Sequence, residues 1–301
     1  MMTEKISFFM KKYQDRIENL LLDVFPSELN EDPTVKAAMY SLLAGGKRIR
    51  PVLMYMVAEM LGFDLEQVDD FAVAMEMVHT YSLIHDDLPC MDDDCLRRGK
   101  PTCHVAHGEA FALLAGDALL NRAFERVLSS VSKDPKTATA ASYFAENTGI
   151  LGMIGGQSID LSSEGKKIET GLLCELHEKK TGALINASCL IPYFIYAAQK
   201  GEDKKLYDLI HRFSAGTGLG FQIKDDLLDV QADASVLGKS TGKDARDNKS
   251  TFVTVFGEKK AQQMLDDTYG DVYDALDELS SLGFDVTVLR QFSDVLQNRV
   301  Q

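Results

Sequence analysis

The stretch Phe71–Asp87, FAVAMEMVHTYSLIHDD, decides the fold class. From Phe71 to Leu83 it is apolar on more than one side at helical spacing, and a helix of that kind lies inside a protein. Ala183–Ala198 has the same character, and apolar residues recur at helical spacing almost everywhere else. No stretch of period-two alternation is long enough to read as a strand. The expectation is an all-α chain, one large helical bundle with the two most apolar helices at its centre. Pro51 suits the first turn of a helix that stops at Gly62, and Asp69 or Asp70 would cap Phe71–Asp87. Further helices are expected at about 104–130, 138–161, 169–199, 203–231, 258–281 and 285–299. Segments 162–168 and 232–250 are polar, lysine-rich and glycine-containing, so they read as surface loops, and loops of that length often act as lids. No linker divides the chain, so residues 1–301 read as one domain.

With 301 residues, 45% hydrophobic and 26% charged, the chain can bury a large core without disulfides. Its five cysteines are odd in number and form no C-x-x-C pair, which fits a reducing cytoplasm better than a secreted framework. Cys103-His104-x-x-His107 has no further ligand nearby to complete a zinc site. The charged N-terminus lacks the apolar core of a signal peptide. Ala183–Ala198 is interrupted by Asn186, Ser188 and Pro192 and falls short of the roughly 20 residues of a membrane span. A net charge of −14 argues against nucleic acid as a partner. Two small basic islands, Lys47/Arg48/Arg50 and Arg97/Arg98/Lys100, suit a compact anionic ligand instead.

Two aspartate clusters carry the functional reading. The first, His85-Asp86-Asp87-Leu88-Pro89-Cys90-Met91-Asp92-Asp93-Asp94, ends the apolar helix. The second, Asp225-Asp226-Leu227-Leu228-Asp229, follows SAGTGLGFQIK; on a helix Asp225 and Asp229 share a face, with Gln222 one turn earlier. Crowded carboxylates repel one another and lose hydration unless a cation neutralises them. Hard oxygen ligands suit Mg²⁺, which takes one or two carboxylates together with substrate phosphate. Neither cluster has the alternating ligands and central glycine of an EF-hand. Gly45-Gly46-Lys47-Arg48-Ile49-Arg50-Pro51 sets flexible backbone and three cations at a helix start, where phosphate is favoured. Together the clusters describe places for two diphosphates, one bound through metal and one by cations.

From GGKRIRP through MVHTYSLIHDDLPCMDDDCLRRGKPTCH, GGQSIDL, KKTGALI and GFQIKDDLLD to LGKSTGKDARDNKST, nearly the whole chain resembles the trans-polyprenyl synthase family, in particular its bacterial farnesyl diphosphate-forming members. The resemblance implies an isoprenoid-synthase bundle with a central cavity between the two aspartate-rich helix ends. It also implies a homodimer that condenses isopentenyl diphosphate with allylic diphosphates using several Mg²⁺ ions. Asp86 and Asp92 match the first set of metal ligands, with Asp87 supporting; Asp225 matches the second, assisted by Asp226 and Asp229. Arg97, Lys180, Thr181, Gln222 and Lys239 match the contacts of the allylic diphosphate. Gly46, Lys47, Arg50, His79 and Arg98 match the isopentenyl diphosphate site, and Gln157 and Asp160 the lining of the cavity. A helical rise of about 1.5 Å per residue puts Tyr81 and Ser82 roughly 6 to 8 Å below Asp86, where a tyrosine ring would limit chain length. The D-D-x-x-x-x-D spacing and Tyr81 resemble the farnesyl type, with geranylgeranyl diphosphate synthase the alternative. A terpene cyclase and a non-catalytic partner subunit fit less well, since the second cluster lacks an asparagine-serine-glutamate pattern and both clusters are intact. One departure stands out: relatives often have an aromatic residue followed by proline after the Lys249-Ser250-Thr251 segment, where this chain has Phe252-Val253.

Overall fold

The computed structural model describes residues 4–166, 168–235 and 250–299. Most of them are helical. In chain order the helices are α1 Glu4–Leu21, α2 Pro33–Leu42, α3 Ile49–Met60, α4 Glu66–Asp86, α5 Cys103–His107, α6 Glu109–Lys133, α7 Ala138–Thr148, α8 Met153–Ser163, α9 Thr170–His177, α10 Ala183–Lys200, α11 Lys204–Ser235, α12 Phe252–Phe256, α13 Glu258–Ser281 and α14 Thr287–Asn298. The chain gathers into two compact units, Ser7–Ala141 and Ser142–Gln301 with Met1–Ile6, taken here in their described parts.

In the first unit α4 is the core helix. Its residues Val68, Phe71–Val78, Thr80, Tyr81 and Ile84 are buried on every side, and α6, α3 and α2 pack around it. Each large side chain buried in this way stabilises by about 1.5–3 kcal/mol. The α4–α6 contact is close: a Cβ on Gly116 would lie 2.0 Å from His85 Nε2, so only glycine admits the imidazole, which also bonds the Leu113 carbonyl at 3.0 Å. Helix α4 begins at Glu66, earlier than the expected Phe71, because its acidic residues are engaged elsewhere and cap nothing. Asp69 takes Arg16 Nε at 2.8 Å and the Tyr55 hydroxyl at 2.8 Å, while Asp70 pairs with Arg126 at 2.7 Å. Glu66 and Asp69 still favour that start by complementing the helix dipole.

In the second unit α10 is buried along most of its length and packs on α11, which in turn packs on α13. The apolar window in Thr170–Lys200 is long enough to cross a membrane, yet 78% of it is buried by the protein's own helices. Asn186, the polar interruption in this segment, lies in the core because its Oδ1 accepts the Ser214 hydroxyl at 2.6 Å. Buried polar atoms that are paired in this way cost little.

Glycine breaks the expected helices in two places. Gly108, at φ +87, separates α5 from α6 within the expected 104–130, and the turn Gly149–Gly152 separates α7 from α8 within 138–161. Around Gly152 the chain doubles back so tightly that a Cβ would lie 2.1 Å from the Asn147 carbonyl oxygen. The expected 169–199 helix contains a π-helical turn, Glu178–Gly182, between α9 and α10. A strand pair absent from the sequence reading is present: Leu96–Arg97 and Lys100–Pro101 form an antiparallel hairpin. Two-residue strands have no periodicity to read. The hairpin turns on Arg98 at φ +53 and Gly99 at φ +74, the left-handed geometry that tight hairpins require.

Candidate active site

The first cluster lies wholly in the first unit. Helix α4 ends at Asp86, and the chain turns back so that the Asp92 amide donates to the Asp86 carbonyl at 2.8 Å. That turn holds two expected metal ligands on one loop, both with partly exposed side chains. Asp87 faces inward, at 3% exposure. It receives Arg97 through both oxygens, Nε at 2.9 Å to each and Nη2 at 2.6 Å to Oδ1. Burial raises the Asp87 pKa, and Arg97 opposes that shift. Arg97, expected as a diphosphate contact, therefore carries a fork-to-carboxylate pair that fixes the hairpin to the end of α4.

Basic groups converge beside it. The Arg98 guanidinium lies against Gly46, where a Cβ would come within 2.6 Å of it, so this glycine keeps room for the arginine. His79, two residues before Tyr81 on α4, is held well below its ordinary pKa, first by burial and then by the charges of Arg50, Arg98, Arg97 and Arg48. It is an uncharged donor among cations. Arg48 forms ion pairs with Glu18 and with the buried Glu76, at 2.7 Å each. Sequence grouped Arg48 with Lys47 and Arg50 as one basic island and did not single out Glu76. The signal available was a glutamate inside a helix apolar all round, which requires a buried cation. Cys103, His104 and His107 have different partners: the Ala37 carbonyl, Thr102 and the Tyr40 ring.

The second cluster lies in the second unit. Gly156 lets α8 approach the π turn, since a Cβ there would lie 2.2 Å from the Lys180 amide nitrogen. The approach brings Asp160 to Lys180 Nζ at 2.5 Å, and the half-buried Gln157 lies on the same short helix. π turns recur at functional sites because they displace side chains from the regular helical register, and this one carries Lys180 and Thr181. The Thr181 hydroxyl donates to Gln222 Oε1 at 3.2 Å, and Gln222 Nε2 donates to Asp226 Oδ1 at 3.0 Å. Asp226 Oδ2 accepts the Phe252 amide at 2.7 Å. Asp226 was expected among the metal ligands; at 4% exposure, with both oxygens accepting, it ties α11 to α12. Asp225 and Asp229 have the more exposed carboxylates, and Asp225 pairs with Arg299 at 2.7 Å. Helix α12 starts on a Thr251 capping box, so Val253 occupies its first turn without needing a proline. Lys239 and most of the expected loop 232–250 lie outside the described residues.

His177 stacks on Phe252 with ring centroids 5.1 Å apart, and its Nε2 is buried without a hydrogen-bond partner. Burial lowers its pKa to about 4, with Lys180 adding to the shift and Asp160 opposing it. Between pH 6.5 and about 4 the unfolded chain binds a proton that the folded chain refuses. The His177 contribution to stability is complete above pH 6.5 and is lost as pH falls towards 4. Urea midpoints are expected to drop between pH 7 and pH 5, and His177→Asn reduces that drop; an identical drop in the variant would assign it to other groups.

Both clusters attract cations to crowded oxygens, Arg97 to Asp87 and Arg299 to Asp225. Such all-oxygen donor sets fit Mg²⁺. Among the described residues no three His, Cys, Asp or Glu side chains are grouped closely enough to hold a metal by themselves. Mg²⁺ does not require such a cage, because substrate phosphate completes its shell.

Comparison with known proteins gives a consistent result. Residues 32–282 match the polyprenyl synthetase family model. Farnesyl diphosphate synthase of Haemophilus influenzae is 41% identical over 282 residues, 93% of this chain and 94% of that protein. The enzyme of the same description from Escherichia coli is 40% identical, covering 92% of each. Geranylgeranyl diphosphate synthase of Cyanophora paradoxa is 44% identical over 72% of each chain. Among solved structures, a geranyltransferase from Legionella pneumophila superposes with a TM-score of 0.83 at 32% identity over 98% of each chain.

Proposed function

The chain belongs to the polyprenyl synthetase family, and from that premise we propose that it condenses isopentenyl diphosphate with dimethylallyl and then geranyl diphosphate to give (2E,6E)-farnesyl diphosphate. Residues 1–301 act as one catalytic domain in this reading, in the cytoplasm and as a homodimer. The observation that carries it is the gathering of Gly46, Arg50, Arg97 and Arg98 around uncharged His79, next to the carboxylates that end α4. Cations without metal suit one diphosphate, and carboxylates without a cage suit another that brings metal with it.

Asp86 and Asp92 in the first unit, and Asp225 and Asp229 in the second, would hold Mg²⁺, with Asp87 and Asp226 fixing the backbone that carries them. When bound, the metal neutralises charge on the departing diphosphate. Lys180 and Lys239 would add cationic donors to a departing diphosphate, with Thr181 held by Gln222 beside Lys180, and Arg97 would add one from the first unit. The allylic C–O bond breaks and its electron pair leaves with the diphosphate. The alkene pair of isopentenyl diphosphate then forms the new C–C bond, and the released diphosphate takes the proton lost in restoring the alkene. Lys47, Arg50, Arg98 and His79 hold the second diphosphate in place, and apolar helices exclude the water that would trap the cation.

The likeness to a geranylgeranyl-forming relative supports a second reading, a twenty-carbon product. Incubation with isopentenyl and dimethylallyl diphosphates and Mg²⁺ distinguishes them by product length. Farnesyl diphosphate is expected. Geranylgeranyl diphosphate would keep the reaction and overturn the product, and no product from dimethylallyl or geranyl primers would overturn the reaction.

A further inference from the structure

At the start of α3, Lys47 in the preceding turn is exposed and Arg50 in the helix's first turn is half-buried, whereas Arg48 between them is 3% exposed. Its guanidinium is fully engaged inside the first unit. Nε meets Glu18 Oε1, Nη1 meets Glu76 Oε1 and Nη2 meets the Leu42 carbonyl, each at 2.7 Å. These partners belong to α1, α4 and the last residue of α2, so one side chain fastens the turn to three helices. The backbone requires such a fastening. Arg48 sits at φ +49 and follows Gly45 at φ +83 and Gly46 at φ +141. A non-glycine residue keeps a left-handed conformation only where its surroundings over-determine it. Its carbonyl accepts the Val52 amide at 3.0 Å, the first bond of α3, so the same residue sets where that helix begins.

Glu76 is 2% exposed and lies three residues before His79 on α4. The cluster it supports is otherwise cationic. Arg98 is disfavoured in its charged form by burial and by Arg48 and Arg97, and Glu76 and Glu18 oppose that effect. The two carboxylates offset repulsion among the guanidinium groups, so the cations stand assembled before any anion arrives, and preorganisation of this kind raises affinity without new contacts.

We propose that Arg48, held by Glu76 and Glu18, is a positioning residue that never touches substrate and that sets Lys47 and Arg50 in the geometry that receives the isopentenyl diphosphate headgroup. The assignment rests on the function proposed above for that site. Its signature is selective, because the turn contacts only one of the two substrates.

The test uses Arg48→Lys, which keeps the charge and loses the fork, and Glu18→Gln, whose side chain is 39% exposed and whose replacement leaves the core intact. Steady-state kinetics are measured alongside calorimetric titration of isopentenyl diphosphate in EDTA. Arg48→Lys is expected to raise KM for isopentenyl diphosphate by about tenfold and Glu18→Gln by about threefold. KM for the allylic substrate and the circular dichroism spectrum should stay at wild-type values. The titration should weaken by the same ratios. Binding as tight as wild type in both variants, or both KM values rising together, would overturn the positioning role. A wild type that binds isopentenyl diphosphate and turns nothing over, with the variants still weaker, would remove the proposed reaction and leave Arg48 as assigned. A wild type that binds none would remove both.

Discussion

Asp86→Ala and Asp225→Ala each lower turnover by about 10²- to 10⁴-fold, the loss expected when several kcal/mol of charge stabilisation is withdrawn from a departing diphosphate. The helical fold survives both changes. Asp86 occupies the last position of α4, where a negative charge opposes the helix dipole, so its removal relieves an unfavourable interaction. The Asp92 amide bonds the Asp86 backbone carbonyl, which alanine retains. Asp225 loses its pair with Arg299, but that carboxylate is 38% exposed and its contribution is screened by solvent. Single-turnover rates with geranyl diphosphate and circular dichroism spectra, measured on the same samples, separate chemistry from folding. Near-normal rates in either variant would refute the assignment of that aspartate. Asp226 does not serve this purpose, because its two oxygens hold Gln222 and the Phe252 amide and its loss would disturb the fold itself.

The fold was legible where one physical rule dominated. Helix α4 announced itself because a segment apolar all round has only one place to lie, and α13 matched its expected span of 258–281 because its amphipathic period is uninterrupted. The reading failed where backbone conformation departed from side-chain pattern. Gly108 and the Gly149–Gly152 turn break helices in segments whose apolar period continues through the break. The π turn at Glu178–Gly182 adds a local bulge that leaves KKTG looking like ordinary helix. Asp69 and Asp70 looked like caps because their partners, Arg16, Tyr55 and Arg126, are distant in sequence. The candidate site was legible in its residue types. What sequence did not distinguish was which charged groups face outward and which hold others in place: Arg48 in KRIR, Asp87 in the first cluster and Asp226 in the second all support neighbours. Burial separates the two kinds, and burial follows from tertiary packing.

Tyr81→Ala is expected to shift the main product from fifteen to twenty carbons or more, while Tyr81→Phe keeps fifteen. Tyr81 lies five residues before Asp86 on α4, roughly 7.5 Å along the helix, and its ring is 5% exposed. Burial and the Asp86 charge push its pKa up to about 12, which places the phenol within electrostatic reach of the expected metal ligand. The ring is also supported. His85 packs edge-on against it with centroids 5.7 Å apart, and His85 is itself held by the Leu113 carbonyl and the space that Gly116 leaves. A ring braced by a second packed ring resists displacement by a growing tail more than an aliphatic side chain would, since dense packing transmits strain to its neighbours. The hydroxyl is buried without a hydrogen-bond partner, so phenylalanine preserves the obstruction and removes only an unsatisfied polar atom. Alanine removes the obstruction and leaves the carboxylates above it in place, so product length changes while ionisation continues. Product analysis of both variants at equal turnover is the check. If Tyr81→Ala still stops at fifteen carbons, the limit on chain length lies in other side chains, and Tyr81 is a core residue of α4 and no more.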